Sequence, residues 1–244
     1  MRMDMVHPGA MQLGYQFYGE PGHVVSLVGG GGKTTLLYNM ARMSAEEGSR
    51  VLVTTTTHIG KPRQNFAKNA QEARKLWARG TYAVIGTQEG QRLSMPDRKL
   101  LDELMKEADL TVIEADGAKG LPCKAPRDKE PVILPQCDMV TAVLGVSAIG
   151  RPIREVCFCL EEVRALLGVE ETHILSEQDA AKILASEAGS RKGVGQREYF
   201  VVLNQCDDDK RRKCGKRIAK LLFDRGIYNV VLTSFDPAER SDRM

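Results

Sequence analysis

The stretch VVSLVGGGGKTTLLYNMA, residues 24–41, gathers the residue types that hold phosphate. Gly29, Gly30, Gly31 and Gly32 run straight into Lys33, Thr34 and Thr35. Glycine lets backbone N–H groups converge on phosphate oxygens in conformations that a Cβ blocks. A helix beginning near Lys33 adds its positive dipole end. Lys33 is then placed to reach the terminal phosphates of a nucleotide, and the Thr34 hydroxyl to hold Mg²⁺. The usual spacing G-x-x-x-x-G-K-[ST] has Leu27 where its first glycine belongs, so the loop is short but its lysine and hydroxyl are intact. A dinucleotide fingerprint fits less well. Counted from Gly29 or Gly30, its third glycine falls on Thr34 or Thr35, and the next apolar run ends in Thr54–Thr57 rather than in an acid. A plain glycine turn leaves Lys33-Thr34 unexplained.

A phosphate loop that works with Mg²⁺ also calls for an acid at the end of a neighbouring strand. LTVIEADG supplies Glu114 and Asp116, with Lys33 the candidate catalytic set, and either acid is a candidate for the metal beside Thr34. Read alone, the same acids make a solvated turn. FVVLNQCD places Asn204 and Asp207 after a late apolar run, matching the N-K-x-D pattern that reads guanine, with Gln205 in the place of the lysine. The nucleotide expected is therefore GTP or ATP. In VTTTTHI, Thr54 and Thr55 suit β-branched filler, whereas Thr56, Thr57 and His58 fall where ligands bind at the carboxyl edge of such sheets. Thr57 joins the candidate nucleotide contacts.

The elements that must position these residues follow from the apolar pattern. Val24–Val28, Val51–Val53, Ala83–Ile85, Leu110–Ile113, Met139–Leu144, Tyr199–Leu203 and Val230–Leu232 are short runs without alternation, as strands covered on both faces require. Between them, Leu36, Leu37, Met40 and Ala41 share a helical face that Gly48 ends. Leu100, Leu101 and Leu104 form a second face, Leu160–Leu167 a third ended by Gly168, and Ile218–Leu222 a fourth ended by Gly226. The alternation predicts an α/β fold, a P-loop NTPase-like doubly wound and mostly parallel sheet flanked by helices. We expect one such domain over 1–244, mainly helical at about 150–198, with GSRKGVG an exposed loop.

Composition narrows the class. Hydrophobic residues at 42% and charged ones at 27% are ordinary for a globular chain, and a net charge of +3 does not call for nucleic acid. The run DDDKRRKCGKRIAK lacks interleaved aromatics and puts its charges on a solvated helix face, so no nucleic-acid partner is expected. No apolar run approaches the roughly 20 residues of a membrane helix, and MRMDMVHPGAMQLGYQ lacks the apolar core of a secretory leader. Six cysteines in such a chain suggest reduced thiols and a cytoplasmic setting. Cys157 and Cys159 are expected to be packing residues at a helix start, and Cys123 a small buried hydrophobe. Lys119, Lys124 and Arg127 make their loop basic, suiting an anionic substrate or the nucleotide itself.

VGGGGKTT, VLVTTTTHI, EADGAKGLPCKAP followed by EPVILP, GVSAIGRP and VLNQCD run in order from about residue 24 to 207. In these the chain resembles the YqeC-type accessory proteins of selenium-dependent molybdenum hydroxylases. The resemblance implies a P-loop protein that helps make or insert a labile selenium cofactor, partnered by such a hydroxylase or by its cofactor-making proteins. The chain departs from the family at Gln205, where lysine is usual, and at EVCFCLEEV, where a histidine-arginine pair is expected. VIEADGAKGLP also resembles the glutamate-bearing strand end of metal-delivery GTPases, and VGGGGKTT the short loop of muramyl-type ligases. The two likenesses imply different uses of the nucleotide, one as a hydrolysed switch and one as an activator of a small-molecule substrate.

Overall fold

The computed structural model of the chain describes residues 2–5, as backbone, and 22–235. The remainder of the N-terminal stretch read above for a leader lies outside the described residues. In chain order the elements begin with β1 (Arg2–Met5), β2 (His23–Gly29), α1 (Lys33–Glu46), β3 (Val51–Thr55) and β4 (His58–Gly60). They continue with α2 (Ala70–Trp77), β5 (Ala83–Val84), β6 (Thr87–Glu89), β7 (Arg92–Ser94), α3 (Arg98–Glu107) and β8 (Leu110–Glu114). Next come β9 (Cys123–Lys124), β10 (Met139–Gly145), α4 (Ile153–Val156), β11 (Cys157–Phe158) and α5 (Leu160–Leu167). The chain then forms α6 (Glu177–Ala185), β12 (Glu198–Asn204), α7 (Asp209–Phe223) and β13 (Val230–Ser234).

The main sheet runs β1-β13-β12-β10-β2-β8-β3-β5, and only the pairing of β1 with β13 is antiparallel. All seven unalternated runs are strands of it, for the reason their composition suggested. Val24 and Val28 of β2 pack into one apolar cluster while Val25 and Leu27 pack into another. The same split divides Ile113 from Leu110 and Val112 in β8, and Val201 and Leu203 from Phe200 and Val202 in β12. Both faces of the sheet are covered, so neither side of a strand is selected for polarity. The architecture is a doubly wound α/β sheet of the P-loop NTPase-like type.

Helix α1 buries Leu36, Leu37, Met40 and Ala41, and the chain turns out of it at Gly48 with φ +95°. Side chains cap the other long helices: Asp97 accepts from the amides of Lys99 and Leu100, Asp208 from that of Arg211, and Ser176 and Asp179 form a reciprocal box. Among the described residues no helix is long and apolar enough to cross a membrane.

Three features depart from the sequence reading. The region 150–198 carries α4, α5 and α6, but β11 interrupts it by pairing with β9, setting Cys157 opposite Cys123 and Phe158 opposite Lys124. GSRKGVG is not simply exposed: Val194 inserts into the core and Ser190 is buried. Its first glycine, Gly189, lies so close to α6 that a Cβ there would come within 2.1 Å of the Ile183 carbonyl. Strands β4, β7 and β6 form a small antiparallel sheet after the threonine run, too short and polar to leave a periodic signal. All six cysteines are buried free thiols, as packing residues are, and Cys159 stands at the start of α5, but Cys157 lies in β11 rather than at a helix start. Burial pushes the Cys137 and Cys159 thiols above their usual range, as it does Cys214, to about 12.

Candidate functional site

Strand β2 stands between β10 and β8, and its last residue, Gly29, opens the glycine turn. The first three glycine amides are committed to the protein. Gly29 N–H points at the Asp116 carboxylate (3.1 and 3.2 Å), Gly30 donates to the Val143 carbonyl (2.9 Å) and Gly31 to that of Leu121 (3.0 Å). Gly31 has φ +84°, and a Cβ on it would fall 2.1 Å from the Gly145 nitrogen. Only glycine fits between the end of β10 and the 121–123 segment. The turn is therefore clamped at its start and opens at its end. Gly32 caps α1 in a left-handed conformation, and Lys33, Thr34 and Thr35 form the first helical turn, whose amides have no carbonyl upstream in the helix. That turn, from Gly31 to Thr35, lines a pocket of about 240 Å³, with Glu114, Asn204 and Gln205 among its other walls.

The two acids have separate surroundings. Glu114 is the last residue of β8, and the Thr34 hydroxyl donates to its Oε2 at 2.8 Å. A hydroxyl and a carboxylate at a pocket wall are the hard oxygen donors that Mg²⁺ takes, usually with phosphate and water completing the shell. Among the described residues no three of His, Cys, Asp and Glu gather to hold a metal by themselves, and an Mg²⁺ held partly by a nucleotide does not need them. Asp116 lies behind the turn, 2% exposed. It sits 3.1 Å from Lys33 Nζ and 3.2 Å from Lys124 Nζ. Lys33 also donates to the Gly29 carbonyl at 2.5 Å, and Lys124 to the Gly117 carbonyl at 2.7 Å and to Glu130 at 2.8 Å. Two cations thus meet two carboxylates, with Lys33, Lys124 and Asp116 buried and Glu130 partly so. Burial raises the Glu130 carboxyl, but the Lys124 hydrogen bond and charge outweigh it and leave that group below the usual range.

On the opposite wall, Asn204 ends β12 and bridges two elements. Its amide donates to the Gly31 carbonyl at 2.7 Å and its oxygen accepts from Thr233 at 2.9 Å. Gln205 has φ +64°, and its side-chain oxygen accepts from the Ser147 hydroxyl. Asp207 stands outside the pocket lining and pairs with Arg211 at 3.2 Å. Thr57 is likewise not in the lining; its amide donates to Thr55 Oγ1 at 3.0 Å. The threonines before it brace strand ends, Thr54 to the Ile85 carbonyl (3.1 Å) and Thr55 to that of Glu114 (2.8 Å). The fold thus gathers Gly31, Gly32, Lys33, Thr34, Thr35, Glu114 and Asn204 around one pocket. Gly29, Gly30 and Asp116 lie directly behind it.

Two participants carry no motif: Phe235, after the last strand, lines the pocket, and Thr233 holds Asn204. Ser147, within GVSAIGRP, holds Gln205. Lys124 was visible as one cation of a basic loop, but its place beside Asp116 depends on the pairing of β9 with β11. The wall Lys119-Gly120-Leu121 comes from the same loop.

Comparison with known proteins gives two matches. The family model described as YqeC protein matches residues 25–161. A protein of Escherichia coli (strain K12), named "Uncharacterized protein YqeC", is 28% identical over 218 residues, covering 84% of this chain and 85% of its own.

Proposed function

The chain belongs to the YqeC family, and for it we propose a nucleotide-binding accessory protein that hydrolyses GTP or ATP with Mg²⁺ during synthesis or insertion of the selenium cofactor of molybdenum hydroxylases. One observation carries the nucleotide reading: the helix-opening turn with Lys33 and the Thr34–Glu114 contact face the same pocket. In this reading the amides from Gly32 to Thr35 and the α1 dipole cradle the β- and γ-phosphates. Lys33 extends from Gly29 to the terminal phosphates. Thr34 and Glu114 hold Mg²⁺, which when bound neutralises phosphate charge and fixes its orientation. Phosphoryl transfer depends chiefly on positioning and charge, and these residues are suited to supply both. The selenium context and its partners rest on the family resemblance. A protein working as a switch should turn over slowly and be accelerated by its partner. A small-molecule acceptor is the second reading, favoured by exposed Lys119 on the pocket wall. Incubation with nucleotide and Mg²⁺, with and without cell extract, separates the two: a modified small molecule, formed in proportion to nucleotide consumed, would replace the switch by the activating enzyme.

The base side of the pocket yields a further expectation. GTP should bind more tightly than ATP, because Asp207 can accept hydrogen bonds from the guanine edge whereas adenine presents an acceptor there. Lys normally lies along the base at the place of Gln205, whose side chain here is turned to Ser147. Asp207 must also exchange Arg211 for the base. Both effects keep the preference near tenfold rather than thousands-fold, the worth of about one charged hydrogen bond. Titration of both nucleotides against the wild type and Asp207→Ala checks this. Equal affinities untouched by the substitution would remove Asp207 from the site.

A further inference from the structure

Two buried lysines share one buried carboxylate behind the phosphate-facing turn. The side chains of Lys33, Asp116 and Lys124 are each at most 3% exposed, and both cations lie close to Asp116, at 3.1 and 3.2 Å. Lys33 is curled back, its ammonium on the Gly29 carbonyl. If Lys33 is to serve a phosphate it must leave that position, and Asp116 then loses a cation. A buried carboxylate stripped of its partner opposes such a move strongly. Lys124 is anchored so that it stays. Its ammonium donates to the Gly117 carbonyl and to Glu130, and it lies 5.6 Å from the centre of the Phe158 ring. The β9–β11 pairing that sets Phe158 opposite Lys124 fixes this backbone.

We infer, resting on the nucleotide reading above, that Lys124 is a positioning residue: it holds the charge of Asp116 so that Lys33 is free to move to the phosphates. Lys124 touches no substrate atom. Asp116 is correspondingly the counter-ion that parks Lys33 between turnovers. With Lys124 removed, Lys33 becomes the sole cation of Asp116 and is retained there. With Asp116 neutralised, Lys33 and Lys124 repel across the gap, and a phosphate that draws Lys33 outward relieves the repulsion.

Equilibrium titration of a β,γ-imido nucleoside triphosphate with Mg²⁺, the guanosine or adenosine form that the wild type binds better, tests this in four proteins. Lys124→Met should weaken binding at least about tenfold, since a charge would otherwise be left unpaired. Asp116→Asn should bind at least as tightly as the wild type. Lys124→Met/Asp116→Asn, in which one cation and one anion are lost together, should return to within about threefold of wild type. A residue that only pins the 117–130 segment would not be rescued by Asp116→Asn. Full-strength binding by folded Lys124→Met, failure of the double variant to recover, or weakened binding by Asp116→Asn would each overturn the inference. If Lys124→Met does not fold, the Asp116→Asn and double variants still carry the comparison. A wild type that binds no triphosphate overturns the nucleotide reading itself, a separate outcome.

Discussion

Lys33→Ala is expected to lower nucleotide affinity by roughly 10²- to 10⁴-fold while the protein stays folded. The estimate takes two charge-assisted hydrogen bonds from Lys33 to phosphate oxygens at about 1.5–3 kcal/mol each. Removing a buried lysine beside a buried carboxylate ordinarily threatens the fold, because the remaining charge has no partner. Here Asp116 keeps Lys124 at 3.2 Å and the Gly29 N–H, so its charge stays compensated. The two effects therefore separate. Isothermal titration should show the loss of binding, and thermal unfolding should show a transition close to that of the wild type. Wild-type affinity in Lys33→Ala would sink the phosphate-loop assignment. A collapsed unfolding transition would mean that Lys124 does not balance Asp116 alone.

This separation shows which parts of the site were legible in the sequence. VGGGGKTT announces a turn followed by a helix because glycines and a helix start are local facts. LTVIE announces the acid strand because its apolar run is local too, and the sheet then sets Leu27 opposite Glu114 in parallel register. What the sequence did not disclose is which way each acid faces. Glu114 and Asp116 are two residues apart, yet the strand ends between them. Glu114 stays at the pocket wall and the chain turns Asp116 behind Gly29. The difference depends on Lys124, eight positions further on, whose strand is held by Phe158 in a region that reads as mainly helical. In the same way, the turn reads as short because Leu27 stands where its first glycine belongs. In the fold, the amides of Gly29, Gly30 and Gly31 bond to Asp116, Val143 and Leu121, so this part of the turn is anchored by neighbouring elements. Pairings at long sequence separation leave no periodicity to read, which is why Phe235 and Thr233 were also missed.

Glu114→Gln should cut Mg²⁺-dependent turnover by roughly 10²-fold or more, the equivalent of about 3 kcal/mol of lost charge stabilisation. Glutamine keeps a carbonyl oxygen to accept the Thr34 hydroxyl, so the local hydrogen bond and the fold should survive. What disappears is the negative charge that holds a divalent cation beside Thr34. Nucleotide affinity measured without Mg²⁺ should barely change, while the Mg²⁺ concentration needed for half-maximal rate should rise steeply. Asp116→Asn is the contrast. It leaves Lys33 and Lys124 facing one neutral amide, and breaking a buried ion pair costs about 3–5 kcal/mol. At about 2–4 °C per kcal/mol for a chain of this size, its unfolding midpoint should drop by about 6 °C or more. The Mg²⁺ requirement of Asp116→Asn should stay near that of the wild type. Rate against Mg²⁺ concentration and thermal unfolding, run on both variants, test the division of labour. If Asp116→Asn instead raises the Mg²⁺ requirement and Glu114→Gln does not, the acid behind the turn is the metal ligand. The Thr34–Glu114 contact would then be only a brace between α1 and β8.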